Sequence, residues 1–325
     1  MARRHPDLPR AERRIVRKTS LLETLRVVDT DHISTARVLA IETEFRQRIQ
    51  THVDTLPAAD AKFQKFNTSP FVLMIQCMKR GYTRISQIES DILPAKQFSS
   101  METSAGRMVE SVALPAYEWE VVSSVMHSPN SALDGKRRSG DTLCLATLKS
   151  GPRCLNDEMS ENFADSIVSH YRVWANEAGV RKIDFTYGVL YGTPKLSNKK
   201  DWHILRNVAQ KVPAGSMTVR PNERWECAFT RDGIEVKVAV RIGSDWWAYL
   251  GGERCLVELC AAMIRACVCP GDADAPDQTY TISDLAQIVS TVNVPADFNV
   301  AILQRSQLPW LFFLARHFCD SLEDA

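Results

Sequence analysis

The stretch SALDGKRRSGDTLCLATLKSG, residues 131–151, decides the fold. Its two arms meet at Arg138-Ser139-Gly140-Asp141, a run of turn-forming residues, and predict a β-hairpin. In the second arm, positions 143, 145, 147 and 149 share one face and 144, 146 and 148 the other. After Gly151 and Pro152 comes an amphipathic helix, in which Leu155, Met159, Phe163, Ile167 and Tyr171 recur every four residues. Val168 and Trp174 widen that stripe. Asn156 is placed to cap the helix, Asp157 and Glu158 suit its positive end, and Gly179 marks its finish. RKIDFTYGVLYG, residues 181–192, then predicts a buried strand, being rich in β-branched and aromatic side chains. A strand joined to a hairpin through a helix implies a mixed sheet with helices on its faces, an α/β (α+β) class.

Upstream, residues 20 to 95 read mainly as helices, with apolar positions three and four apart in SLLETLRVV and ISTARVLAIETEFRQRI. A short helix is expected at METSAGRMVESVALP, ended by Pro115, followed by a strand at EWEVVSSVM. Downstream, residues 201–250 carry further strand signals, notably IEVKVAVRIG after the turn Arg231-Asp232-Gly233. Trp246 and Trp247 read there as strand residues, with core packing favoured over stacking on a base. Helical signals return at 254–268, 282–291 and 309–321. The chain thus divides into a helical N-terminal region, 1–95, for dimerisation or DNA wrapping, and a sheet-bearing domain, 96–325.

Composition bounds the function. The 325 residues hold 40 Lys+Arg against 39 Asp+Glu, for a net charge of +1, with 45% hydrophobic and 24% charged residues. Such a chain is too apolar to be mainly disordered. Its longest apolar run, Pro309 to Ala315, is far short of the ~20 residues of a spanning helix. A uniformly basic DNA-coating protein is excluded, so any nucleic-acid surface is a local patch. The nine cysteines and the lack of a secretory signal suit a reducing, cytoplasmic location. Cys255 and Cys260 are five apart, about 140° around a helix, which favours small buried hydrophobes over a zinc site. The basic start (Arg3, Arg4, Arg10, Arg13, Arg14, Arg17, Lys18) reads either as a solvated arm or as an arm along a phosphate backbone.

The chemistry-bearing motif lies in the hairpin. No GxxxxGK[ST] loop, HExxH pair, GxSxG elbow or Gly-rich dinucleotide fingerprint is present. Asp134 stands on one arm and Lys149 at the end of the other, and a hairpin folds them toward one spot. The Asp and the backbone carbonyl of Leu148 are oxygen donors suited to a hard divalent cation. Lys149 is placed to orient a water and to offset charge on a pentavalent phosphate. Glu110, on the preceding helix, adds a carboxylate, as do Glu158 and Glu161 on the following one.

The stretch ALDGKRRSGDTLCLATLKSGPRCLNDEMSENF, with KIDFTYGVLYGT, resembles the core of PD-(D/E)xK nucleases, and more narrowly type II restriction endonucleases. The resemblance covers residues 100 to 200. It implies a restriction-endonuclease-like core, with Asp134 as metal-binding aspartate, Lys149 as catalytic lysine and Glu110 as the helix carboxylate. Where the family has Glu or Asp two before the lysine, this chain has Thr147, a poor metal ligand, and the resemblance offers Glu161, then Glu158, as substitute. It also implies a DNA-facing set. Arg153 is placed for guanine or, alternatively, for phosphate or Asp157, and Asn156 lies beside it. Lys195, Lys199, Lys200 and Arg107 are placed for phosphates. The implied activity is Mg2+-dependent cutting of double-stranded DNA at a short GC-rich palindrome, leaving 5′-phosphates. The implied partners are a homodimer mate and, functionally, a protecting DNA methyltransferase. Two other readings stay open: a structure-specific repair or recombination nuclease, and a non-catalytic DNA-binding protein on a degenerate core.

Overall fold

The computed structural model describes residues 13–58, 60–62, 65, 69–123, 128–212, 216–219, 225–271 and 280–324. The basic arm up to Glu12, and positions 124–126 of the expected strand EWEVVSSVM, lie outside them. In chain order the elements are β1 (Ile15–Arg17), α1 (Lys18–Thr30), α2 (His32–Asp54), α3 (Pro70–Arg80), α4 (Glu89–Ala116), β2 (Glu120–Val121), β3 (Gly135–Ser139), β4 (Thr142–Lys149), α5 (Asp157–Ala178) and β5 (Lys182–Val189). Then follow α6 (Lys200–Lys211), β6 (Ser216–Val219), β7 (Trp225–Arg231), β8 (Ile234–Ile242), α7 (Ser244–Gly251), α8 (Cys255–Cys267), α9 (Leu285–Val289), α10 (Leu308–Ala315) and β9 (Ser321–Glu323).

The expected mixed sheet, flanked by helices, is present. It has seven strands in the order β2-β3-β4-β5-β8-β7-β6. The hairpin β3–β4 is antiparallel, β4 and β5 run parallel, and β5 and β8 run parallel. A small parallel pair, β1–β9, joins the two ends of the described chain. The hairpin turn falls at Gly140-Asp141, where Gly140 adopts φ +60. Helix α5 has the anticipated ends: the Asn156 side chain accepts the Met159 N–H, and Gly179 is left-handed.

Alternation along the strands builds two cores. Leu143, Leu145, Ile183, Phe185 and Tyr187 face Ile167, Tyr171 and Trp174 of α5 and Trp202 and Leu205 of α6. Cys144, Ala146 and Leu148 face the opposite way, toward Val112 and Leu114 of α4, Trp246 and Trp247 of α7, and beyond them α8, α1 and α2. Helices α1 and α2 therefore pack in the same core as the C-terminal helices. A buried cluster ties them: the Arg37 guanidinium bonds both oxygens of Glu258 at 3.1 and 2.9 Å, and the Tyr117 hydroxyl donates to Glu258 at 2.6 Å. Glu258 is only 1% exposed, so removing either donor leaves a buried charge short of partners.

Four local expectations need correction. Trp246 and Trp247 lie on a helix, not a strand, because Gly243 turns the chain sharply after β8 with φ +58. Both are buried, Trp246 against Gly188, where a Cβ would meet its ring at 2.7 Å. The helix expected at 101–115 begins twelve residues earlier, at Glu89, and carries Pro94 and Pro115 within it. The strand expected from Glu118 is described only as Glu120–Val121. Of the described part of the basic arm, Arg13 and Arg17 are exposed, whereas Arg14 and Lys18 are tied into the fold. Arg14 pairs with Asp245 at 2.8 Å, and the buried Lys18 ammonium bonds the carbonyls of Gln287 and Ser290.

Candidate active site

Strand β4 ends beside the start of β3, and α4 crosses above this edge. The register pairs Gly135 with Ala146, yet the Asp134 N–H also donates to the Ala146 carbonyl at 2.9 Å. Two consecutive residues thus oppose one, a bulge that re-aims the Asp134 side chain. Its carboxylate accepts the Leu148 N–H at 2.6 Å, where the ladder would otherwise have lost its partner strand. Helix α4 is held close at two points. A Cβ on Gly106 would lie 3.1 Å from the Ser150 Cβ, and Leu114 packs on Gly135 with the same clearance. Glu110 sits midway between them, one helical turn from each.

The result is an open cleft of about 580 Å3, lined among others by Arg107, Glu110, Asp134, Leu148, Lys149 and Ser150. Five of the residues singled out from the sequence meet here. The Lys149 carbonyl accepts the Leu190 N–H on the β5 side. Carbonyls alternate along a strand, so that of Leu148 points the other way, toward Asp134. The Lys149 ammonium rests 5.6 Å from the centre of the Phe163 ring on α5, which gives it one apolar wall.

The electrostatics of the cleft suit a cation. Burial and, after it, the nearby Asp134 charge push the Glu110 carboxyl up to about 7, against the opposing pull of Lys149 and Arg107. Burial also raises Asp134, against the restraining Leu148 N–H and Lys149. Among the described residues Glu110 makes no hydrogen bond or ion pair. Two carboxylates that oppose each other's ionisation, with unused oxygens, are what a divalent ion relieves. Hard oxygen donors of this kind fit Mg2+: Glu110, Asp134 and the Leu148 carbonyl. Among the described residues no group of three or more His, Cys, Asp or Glu side chains is gathered for a metal. Any ion here therefore rests on two carboxylates and a backbone oxygen.

No protein-family model and no curated protein matches this chain.

The structure does not bring the other expected residues to the cleft in the same way. Thr147 is buried, and its hydroxyl donates to the Ala132 carbonyl, so the position anchors the turn before β3 rather than facing a metal. Glu161 is exposed on α5 and lies 3.7 Å from Lys211 of α6, with Glu158 exposed near the helix start. Neither lines the cleft. Asn156 spends its side-chain oxygen on the Met159 N–H. The Arg153 Nε donates to the Leu196 carbonyl at 3.2 Å, so the pairing with Asp157 is not made; Asp157 bonds Lys200 instead. Lys199 donates to the Pro194 carbonyl, and Lys195 is exposed on the same loop.

Sequence reading missed one feature. Beyond Arg107 the cleft continues into a groove between α2 and α4, lined by Arg48, Thr51, His52, Ser104, Arg107 and Ser111 among others. On α2 the positions 44, 48, 51 and 52, with Thr55 just past its end, form one polar face at helical spacing. The His52 Nε2 is buried there and finds no hydrogen-bond partner among the described residues.

Proposed function

We propose that this chain is a Mg2+-dependent endonuclease for double-stranded DNA, of the type II restriction class. One observation carries the reading: Asp134, Lys149, the Leu148 carbonyl and Glu110 converge on one open cleft where β4 ends beside the start of β3. The order helix, hairpin, helix, strand through α4, β3–β4, α5 and β5 supports a restriction-endonuclease-like core. Mg2+, when bound, supplies charge neutralisation at the scissile phosphate. Glu110 and Asp134 would hold it, with Asp134 fixed in place by the Leu148 N–H. Lys149 orients the attacking water and offsets charge on the pentavalent phosphate. The water's oxygen bonds to phosphorus, the bond from phosphorus to the 3′ oxygen breaks, and that oxygen leaves with a proton, giving a 5′-phosphate. Arg107 and the polar groove beyond it offer a path for the flanking backbone. The target is a short GC-rich palindrome, two copies of the chain read it, and a cognate methyltransferase protects the host in the cytoplasm.

The Thr147 hydrogen bond favours one second reading. A metal position filled by a structural bond is compatible with a DNA-binding protein on a decayed nuclease core. Digestion of a large phage DNA by the purified chain with Mg2+, followed by sequencing of the fragment ends, separates the readings. Discrete bands with a fixed terminal sequence are expected. Ends without a fixed sequence point to a structure-specific nuclease. Salt-sensitive binding with no cutting of any duplex points to the decayed core.

A further inference from the structure

Helix α3 carries an apolar stripe that the rest of the described fold does not cover. Phe71, Met74, Ile75 and Met78 fall at i, i+3, i+4 and i+7, which is the spacing of one apolar stripe. A stripe of this kind normally faces a core, yet no residue of α3 is buried. Phe71 is 78% exposed and Met78 83%. Val72 on α3, Ile85 in the connecting turn, and Phe98 and Met101 on the first half of α4 are exposed as well. The two helices are tied to each other by the Asp91 carboxylate, which accepts from Gln76 at 3.3 Å and from the Tyr82 hydroxyl at 2.9 Å.

This arrangement demands a cover. An eleven-residue helix is marginal in water unless its apolar face is packed. Large apolar side chains present roughly 150 Å2 or more apiece, so eight of them, mostly exposed, offer on the order of 1,000 Å2. Monomers rarely expose contiguous apolar patches above a few hundred Å2. The area matches the roughly 800 Å2 that each partner buries in a stable dimer.

We infer that α3 and the first half of α4 form the surface on which a second copy of this chain docks. Charge argues against DNA as the occupant. The stripe itself carries no Lys or Arg, and a phosphate backbone gains nothing from Phe and Met. Lys79, Arg80, Arg84 and Lys96 are nearly balanced by Glu89, Asp91 and Glu102, so a second copy meets no net repulsion. The identity of the occupant rests on the proposed function: each chain holds one such cleft, and a duplex has two strands to cut. The same helix α4 that meets the partner with Phe98 and Met101 supplies Arg107 and Glu110 to the cleft. Docking therefore fixes the helix on which the metal carboxylate rides.

The test uses the full chain without DNA. Sedimentation equilibrium at micromolar concentration should give a dimer. Phe71→Glu combined with Met78→Glu should weaken self-association roughly 100-fold or more, as for central apolar anchors, with far-ultraviolet circular dichroism unchanged. Phe71→Gln with Met78→Gln, which removes the apolar surface without charge repulsion, should do the same. A monomeric wild type overturns the inference, as does a dimer that neither double variant weakens. Binding of a monomeric wild type to phosphatidylglycerol vesicles would reassign the surface to a membrane. A dimer broken by these variants that cuts no DNA keeps the surface and sinks the nuclease reading; sequence-specific cutting by a monomer does the reverse.

Discussion

Asp201 and Glu110 are both carboxylates whose pKa burial raises, and they are not alike. Asp201, near the start of α6, is pushed up to about 6 by burial although the Ser197 hydroxyl and the Trp202 N–H both hold it down. Its oxygens accept from Ser197 at 2.8 and 2.9 Å and from Trp202 at 3.0 Å. Glu110 reaches about 7, faces another carboxylate across an open cleft, and accepts no hydrogen bond from the described residues. Burial perturbs both groups. Only the second combines it with a like charge, unused oxygens and a way in. Desolvation by itself marks a structural acid as readily as a functional one. The distinguishing sign is an electrostatic conflict that the protein leaves unresolved.

The largest expected effect breaks the comparison on the cleft side. Asp134→Ala should abolish DNA cutting, and Lys149→Ala should lower the single-turnover cleavage rate by about 10²-fold or more. Full cleavage by Lys149→Ala with Mg2+ present ends the assignment. Next is Glu110→Gln, expected to weaken Mg2+ binding by at least the 10–100-fold typical of disturbing a metal's surroundings. Mg2+ must displace the Glu110 proton, so its stabilisation of the wild type should grow as pH rises through about 7. A thermal-shift titration that is flat with pH, or equal in the Gln variant, contradicts the ligand role.

The structural carboxylate should respond differently. Asp201→Ala should cost about 1–3 kcal/mol in chemical denaturation, leaving the specific cleavage rate of the folded protein unchanged. The folded pKa of Asp201 lies above its ordinary value of 3.8, so its contribution to stability is complete below pH 4 and lost as pH rises through about 6. Wild type should therefore gain on Asp201→Asn as pH falls from 6 to 4, and denaturation midpoints at the two pH values check this. The smallest effect belongs to Glu161→Ala. An exposed carboxylate 3.7 Å from Lys211 should contribute less than about 1 kcal/mol and nothing to cleavage. A large loss of cutting in that variant would show that Glu161 reaches the metal after all.

Much of the central sheet was legible because its signals are local. The turn at Gly140-Asp141, the four-residue stripe of α5 and the Asn156 cap are all written in neighbouring residues. Helix α7 was not, because its sequence also fits a strand: Trp-Trp beside Tyr249 has high β propensity, and the glycine turn at Gly243 overrode it. In the site, Asp134 and Lys149 were found because a hairpin is a local fold-back. Glu161 was favoured over nothing more than its distance along the chain, and its helix face points to Lys211.

The sequence alone determined the alternation of β4, the period of α5, and hence which side chains each element can offer to which side. It also determined that the carboxylate and the lysine end near one another. Only the tertiary structure decided that Glu110 would complete the cluster, since twenty-three residues and a turn separate it from Asp134 and only the packing of Gly106 on Ser150 and of Leu114 on Gly135 brings α4 over the strand ends. Side-chain period is set by backbone geometry within a few residues, whereas the meeting of distant elements is set by shape and burial, which no local pattern encodes.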